Sequence, residues 1–179
     1  MAEEIDYRIF YDSEKYLLEK VGSHFQQTGE LEPADFYSIL IWKAERAKNH
    51  HKKRLATLGG SFDKAVRELA SQLYRSTSDR NRLECLMNNW WFALPTASAI
   101  LTILYPKVFT VYDWRVCDEL GIPPESWHSR GFSEALWNHY LTFKEAVIQG
   151  APANLTLRDK DRFLIGRSTR KSIIEDCKD

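Results

Sequence analysis

Apolar positions recur at helical spacing along almost the whole chain. Ser13 can cap a first helix that carries Leu17, Leu18, Val21 and Phe25 on one face, and Gly29 ends it. Pro33 suits the first turn of a second helix, with Phe36, Ile39, Leu40 and Ala47 turned inward. Gly59-Gly60 is a break, after which Ser61 opens the cleanest amphipathic stretch: Phe62, Ala65, Val66, Leu69, Ala70 and Leu73. Ser78 can cap the next helix, whose apolar positions are Leu83, Leu86, Met87, Trp90 and Trp91. Pro95 starts an apolar helix that runs to about Leu104, where Pro106 stops it. Strand-like alternation appears only over Val108–Tyr112, and Asp113 then reads as the N-cap of a short helix ending near Gly121. A further helix spans about Phe132–Val147, with Leu136, His139, Tyr140 and Phe143 on one face. Thr156 and Asp159 form a capping-box-like start for a last helix through Leu164, and the polar tail from about 168 to 179 is expected to fray. The pattern predicts an all-α fold, one domain over residues 1–179, with about eight to ten helices.

Composition narrows this picture modestly. Only 8 Gly and 6 Pro argue against a loop-rich all-β fold. Aromatic residues reach 13%, enough to supply stacking surfaces as well as core. The formal net charge is zero, which counts against a strong non-specific nucleic-acid binder but leaves local basic patches open. Cys85, Cys117 and Cys177 are far apart and odd in number, so neither a disulfide framework nor a zinc or iron–sulfur site is predicted. His24, His128 and His139 lack metal-ligand spacing, and no cofactor is implied. The start of the chain is acidic without an apolar signal core. The longest apolar stretch, Phe92 to Tyr105, contains a proline and is too short to span a bilayer. The expectation is a cytoplasmic protein with no membrane partner.

The informative segment lies between about 83 and 121. Leu94-Pro95-Thr96-Ala97-Ser98-Ala99-Ile100-Leu101 precedes Phe109-Thr110-Val111-Tyr112-Asp113-Trp114-Arg115-Val116. This arrangement resembles the core of the helix-hairpin-helix DNA glycosylase superfamily, which includes endonuclease III, the adenine glycosylase of mismatch repair and oxoguanine glycosylase. In that family a glycine-bearing hairpin leads into a small-residue helix, and an extended segment then delivers an aspartate. The resemblance implies two helical lobes with a cleft, DNA as partner and Asp113 as the catalytic aspartate. It places Trp91, Phe92, Ala93, Leu94, Thr96 and Ser98 against the DNA backbone. Trp42, Lys43, Arg46, Trp114 and Arg115 would lie around the pocket or its rim. Pro95 stands where strand-cleaving relatives keep a lysine, eighteen positions before Asp113, so the implied activity is base removal alone.

The chemistry behind this pattern is simple. Hairpin amides and a helix N-terminus favour a phosphate. A base must leave the stack before its glycosidic bond can be cut. Bond cleavage builds positive charge on the sugar, which a nearby carboxylate stabilises. Other readings of the same residues remain. Asp113 also serves as an ordinary N-cap, and Lys43 can snorkel outward. The run Lys43, Arg46, Lys48, His50, His51, Lys52, Lys53, Arg54 grips phosphates or simply solvates a helix end. Trp90 and Trp91 read more simply as packing, and Cys117 as core. The family's hairpin glycines fall near Trp91 and Ala93, and a tryptophan is not expected to take the positive φ that glycine allows. That absence, with the neutral charge, points to an alternative: a non-catalytic nucleic-acid- or protein-binding module. A small-molecule binder using an aromatic cleft is a third reading.

Overall fold

The computed structural model describes residues 11–123 and 131–178, so His128 lies outside the described residues. These residues form helices joined by turns, with no β-strand among them. The fold is all-α, as the periodicity predicts. The chain divides into two compact units, Met1–Ser76 and Thr77–Asp179.

In the first unit, α1 (Ser13–Tyr16), a π-helical stretch (Leu17–Gly22) and α2 (Ser23–Thr28) follow one another without a break. The cap is Asp12, whose side chain accepts from the Lys15 amide, and not Ser13. Leu17, Val21 and Phe25 are buried. Gly29 ends the run at φ 75°, the left-handed conformation typical of a helix C-terminus. α3 (Pro33–Ala44) buries Phe36, Ile39 and Leu40. The helix expected to continue through Ala47 instead breaks at Ala44 (φ −140°, ψ 48°), gives one 3₁₀ turn over Glu45–Ala47 and restarts as α4 (Lys48–Gly59). α5 (Phe62–Arg75) behaves as its periodicity predicts. Ser61 Oγ accepts from the Lys64 amide, and Ala65, Val66, Leu69, Ala70 and Leu73 are buried. α4 and α5 pack on each other across the Gly60 turn. A Cβ on Gly59 would lie 2.6 Å from the Cβ of Ala65, so glycine is what permits this approach.

The second unit begins with α6 (Asp79–Glu84), capped by Ser78, and continues as a π-helical stretch, Cys85–Asn89. A turn over residues 90–93 leads into α7 (Leu94–Leu104), which packs back on that pair. α8 (Trp114–Glu119), α9 (Glu134–Gln149) and α10 (Leu157–Asp176) complete it. Ser133 caps α9. Thr156 caps α10 by accepting from the Asp159 amide at 3.2 Å, and its hydroxyl donates to the Asp159 carboxylate at 2.7 Å. That bond, ahead of the nearby Arg162, holds the Asp159 carboxyl below its ordinary range.

α10 departs most from expectation. The predicted end near Leu164 and the frayed tail from 168 are replaced by helix up to Asp176. One reason lies on α8. Glu119, whose side chain is only 4% accessible, ion-pairs with Arg167 and takes two bonds from Lys171 Nζ at 2.7 and 2.8 Å. These partners, Lys171 first, hold the Glu119 carboxyl below its ordinary range against the desolvation that opposes them. Tertiary contact thus supports a segment whose own composition promises little. α10 also carries charge into the core, since Arg158, Lys160 and Asp161 are all buried. Arg158 ion-pairs with Asp161 one turn on. Lys160 Nζ donates to the carbonyls of Ile148, Ala151 and Pro152 at 3.1, 3.2 and 2.7 Å. A cation therefore sits at the C-terminal end of α9, where the helix dipole is negative.

Lys160→Met keeps the bulk of the stem but strands three carbonyls. We expect it to lower the unfolding free energy by about 2–3 kcal/mol, seen as an earlier urea midpoint. An unchanged midpoint would show that water meets those carbonyls equally well.

Candidate nucleic-acid interface

The segment between α7 and α8 sets the geometry. After Leu104 the chain turns, with the Val108 and Phe109 amides both donating to the Tyr105 carbonyl. Phe109, Thr110, Val111 and Tyr112 are then buried. The alternation over 108–112 suggests a strand, but no strand partner lies beside it among the described residues. Side chains meet its backbone groups instead. Tyr140 Oη on α9 donates to the Thr110 carbonyl at 2.9 Å and accepts from the Thr110 amide at 3.0 Å. Lys144 Nζ donates to the Val108 carbonyl at 3.1 Å. Ser98 Oγ, on α7, accepts from the Tyr112 amide at 2.9 Å. Burial pushes the Tyr140 phenol far above its ordinary range, so it remains a neutral donor.

The Ser98 bond decides where Asp113 goes. Ser98 lies just past the first turn of α7, so the residue after Tyr112 emerges near the N-terminal end of that helix. Asp113 is half-buried and extended (φ −129°, ψ 135°), and its Oδ1 accepts from the Arg115 amide at 3.0 Å. Next to it Trp114 is 53% exposed, with the Arg115 guanidinium 4.8 Å from the centre of its ring. This is cation–π distance.

The turn before α7 holds the second exposed indole. Trp91 is 51% exposed and takes φ 55°, which makes it the one non-glycine with positive φ among the described residues. The expectation that tryptophan would not adopt glycine's conformation is therefore corrected. Its cause is local. The Phe92 amide closes back on the Leu86 carbonyl at 3.0 Å, which terminates the preceding π-helical stretch through one left-handed residue. Phe92 is fully buried and anchors the turn.

Among the residues that the resemblance sets against a DNA backbone, three turn their side chains inward. Phe92, Leu94 and Ser98 have buried side chains, two in the apolar core and the third engaged with Tyr112 and the Pro95 carbonyl. Trp91 faces outward, and Ala93 and Thr96 are half-buried. Ala93 occupies the N-cap of α7 and has no side chain able to cap it.

Trp42, Lys43 and Arg46 belong to the first unit, and Asp113, Trp114 and Arg115 to the second. Trp42 and Lys43 are half-buried in the last turn of α3, and Arg46 is exposed on the 3₁₀ turn. The basic run that follows is partly committed to internal contacts. His51 is buried with Nδ1 3.0 Å from Arg54 Nη2. Lys52 Nζ lies over the rings of Tyr37 and Phe62 at 5.5 and 5.7 Å, and Lys48 pairs with Glu45 at 3.7 Å. No group of His, Cys, Asp and Glu suited to a metal ion occurs among the described residues.

A feature not foreseen lies just behind Asp113. Tyr112 Oη is 2.7 Å from His139 Nε2, and the Cys117 thiol is buried nearby on α8. Burial pushes that thiol up to about 11, and the negative charge of Asp113 adds to the effect. Cys117 is therefore a neutral core residue at physiological pH and no nucleophile. The shared face of His139 and Tyr140 was visible in the sequence, but nothing there linked it to residue 112. No helix among the described residues is long and apolar enough to cross a membrane. Comparison with known protein families, curated proteins and solved structures finds no match.

Trp91→Gly relieves the left-handed strain at a surface position. We expect it to hold or raise stability, by up to about 1 kcal/mol in urea unfolding, because glycine meets no Cβ penalty at φ 55°. A loss exceeding about 1 kcal/mol would mean that the indole packs more than its exposure suggests.

Proposed function

We propose that this chain binds DNA through the α7 end of its second unit and releases a damaged or modified base, with Asp113 as the acting carboxylate. The observation that carries the reading is the Ser98–Tyr112 bond. It brings Asp113 out near the N-terminal end of α7, and the turn before that helix contains one left-handed residue, Trp91. Trp91, Trp114 and Arg115 offer faces on which bases stack, which suits nucleic acid whatever its sequence.

In this reading the glycosidic bond breaks with its electron pair leaving on the base. The sugar C1′ becomes cationic, and the Asp113 carboxylate stabilises it. A water oriented by that carboxylate then bonds to C1′ and gives up a proton to it. The cap bond from Arg115 fixes one carboxylate oxygen and so fixes the direction of the other. A non-catalytic binding module is the second reading, favoured by the same exposed indoles, which need no aspartate to stack on a strand.

Asp113→Asn keeps shape and much of the cap but loses the charge. We expect it to fold and to bind duplex DNA like the parent while base release falls by about a hundredfold or more, since the charge acts in the transition state. Release is read on a panel of damaged and modified duplexes. If the parent releases nothing from that panel, or the Asn variant matches it, the binding-module reading stands.

Pro95 occupies the second position of α7 and offers no amine. Borohydride should therefore leave no covalent adduct between the protein and abasic DNA. A robust adduct would reveal another amine at work, and Lys43 would be the first residue to replace.

A further inference from the structure

The first unit contains a cavity of about 320 Å³ between α5 and the turn that ends α2. That size is at the small end of the roughly 300–1,000 Å³ typical of ligand sites, so it suits a ligand of few heavy atoms. Leu31 and Ala70 contribute apolar surface, and both are buried. Arg67, Ser71 and Arg75 recur every four residues on one face of α5. The opposing turn contributes Gly29 and Glu30. Its shape is locked, since Gly29 has φ 75° and a Cβ there would lie 2.7 Å from the Tyr74 ring. The Tyr74 ring is held in turn edge-on to Phe25, with centroids 5.9 Å apart.

The polar groups differ in how far they are engaged. Arg67 is taken by Asp63 at 3.1 Å and by Glu32 at 3.5 Å. Arg75 and the Ser71 hydroxyl have no hydrogen-bond or ion-pair partner among the described residues. On the facing turn, the exposed Glu30 carboxylate makes no ion pair among the described residues, although its charge reaches Arg67, and it stands next to the C-terminal end of α2, where the helix dipole is negative. The cavity thus has a positive wall with one free guanidinium and a negative wall with one carboxylate. A polyphosphate would meet Glu30 and find Arg67 already neutralised. An apolar ligand would leave Arg75 and Ser71 unanswered.

We propose that this cavity binds a small zwitterion, a free amino acid or a short peptide. The carboxylate sits on Arg75 and Ser71, the ammonium is directed toward Glu30, and the body lies over Leu31, Ala70 and the Tyr74 ring. Arginine provides the forked geometry a carboxylate accepts. The site is independent of the DNA reading.

The test titrates the full chain calorimetrically with the twenty free amino acids and a panel of unmodified dipeptides, up to about 10 mM. Inorganic phosphate and the N-acetyl form of each ligand that binds are run beside them. At least one zwitterion is expected to bind, and the relative affinities of amino acids and dipeptides tell the two sources apart. Arg75→Gln and Ser71→Ala should each weaken that ligand, the first by about tenfold or more. Glu30→Gln should weaken the zwitterion and leave its N-acetyl form unchanged. All three positions are at least partly exposed, so melting temperatures near the parent's are expected and confirm folding. The proposal is overturned if no member of the panel binds, if binding survives Arg75→Gln, or if phosphate or the N-acetyl form binds as tightly as the zwitterion.

Discussion

A buried, extended stretch of chain with no strand beside it among the described residues is the constraint on which the second unit depends. Residues 109–112 carry amides and carbonyls into the core, and each left unmet would cost about 1–3 kcal/mol. Ser98 from α7 meets the Tyr112 amide, Tyr140 from α9 meets both backbone groups of Thr110, and Lys144 meets the carbonyl of Val108 just before the stretch. Tyr140, with Phe143 one turn on, also builds the aromatic packing around the segment. Phe109 stacks on Tyr140 at 6.1 Å, and Tyr112 lies 4.8 Å from Phe143. In Tyr140, hydrogen bonding and apolar burial therefore act through one side chain. Position follows from this, because Asp113 leaves the core one residue after the Ser98 bond.

The turn before α7 separates anchoring from display. Phe92 and Leu94 go inward and hold the turn, while Trp91 is turned out by a left-handed backbone that tryptophan seldom accepts. Trp114 and Arg115 face solvent beside Asp113. Buried side chains thus fix the backbone, and the outward ones are free to meet a partner. The basic run of the first unit behaves differently, since His51, Lys52 and Arg54 are partly drawn into contacts of their own.

Helix identity and most caps were legible because they depend on neighbours in sequence. Ser61, Ser78, Asp113 and Thr156 each accept the amide their position requires. The capping role of Asp113 was readable in the same way, whereas its surroundings were not. Ser98 looked like a small residue on a contact face and is in fact the acceptor for an amide fourteen positions on. The π-helical stretches Leu17–Gly22 and Cys85–Asn89 shift the register without any local mark such as proline. The tail from about 168 appeared to fray because it is polar, and the charges earlier in the last helix gave no sign of burial. Arg158, Lys160 and Asp161 are instead buried, and Lys171 finds Glu119 across 52 positions. A pattern read over a dozen residues does not contain such pairings.

On the proposed reading, Trp91 and Trp114 both meet DNA. The most direct measurement follows the indole N–H resonances of the chain by NMR as a duplex containing a stable abasic-site analogue is added. The account predicts that the signals of Trp91 and Trp114 move and broaden together, saturate with added duplex and recover as salt is raised, while buried Trp90 stays in place. If both exposed indoles stay fixed while the duplex is bound, the contact lies elsewhere on the molecule and the account is wrong.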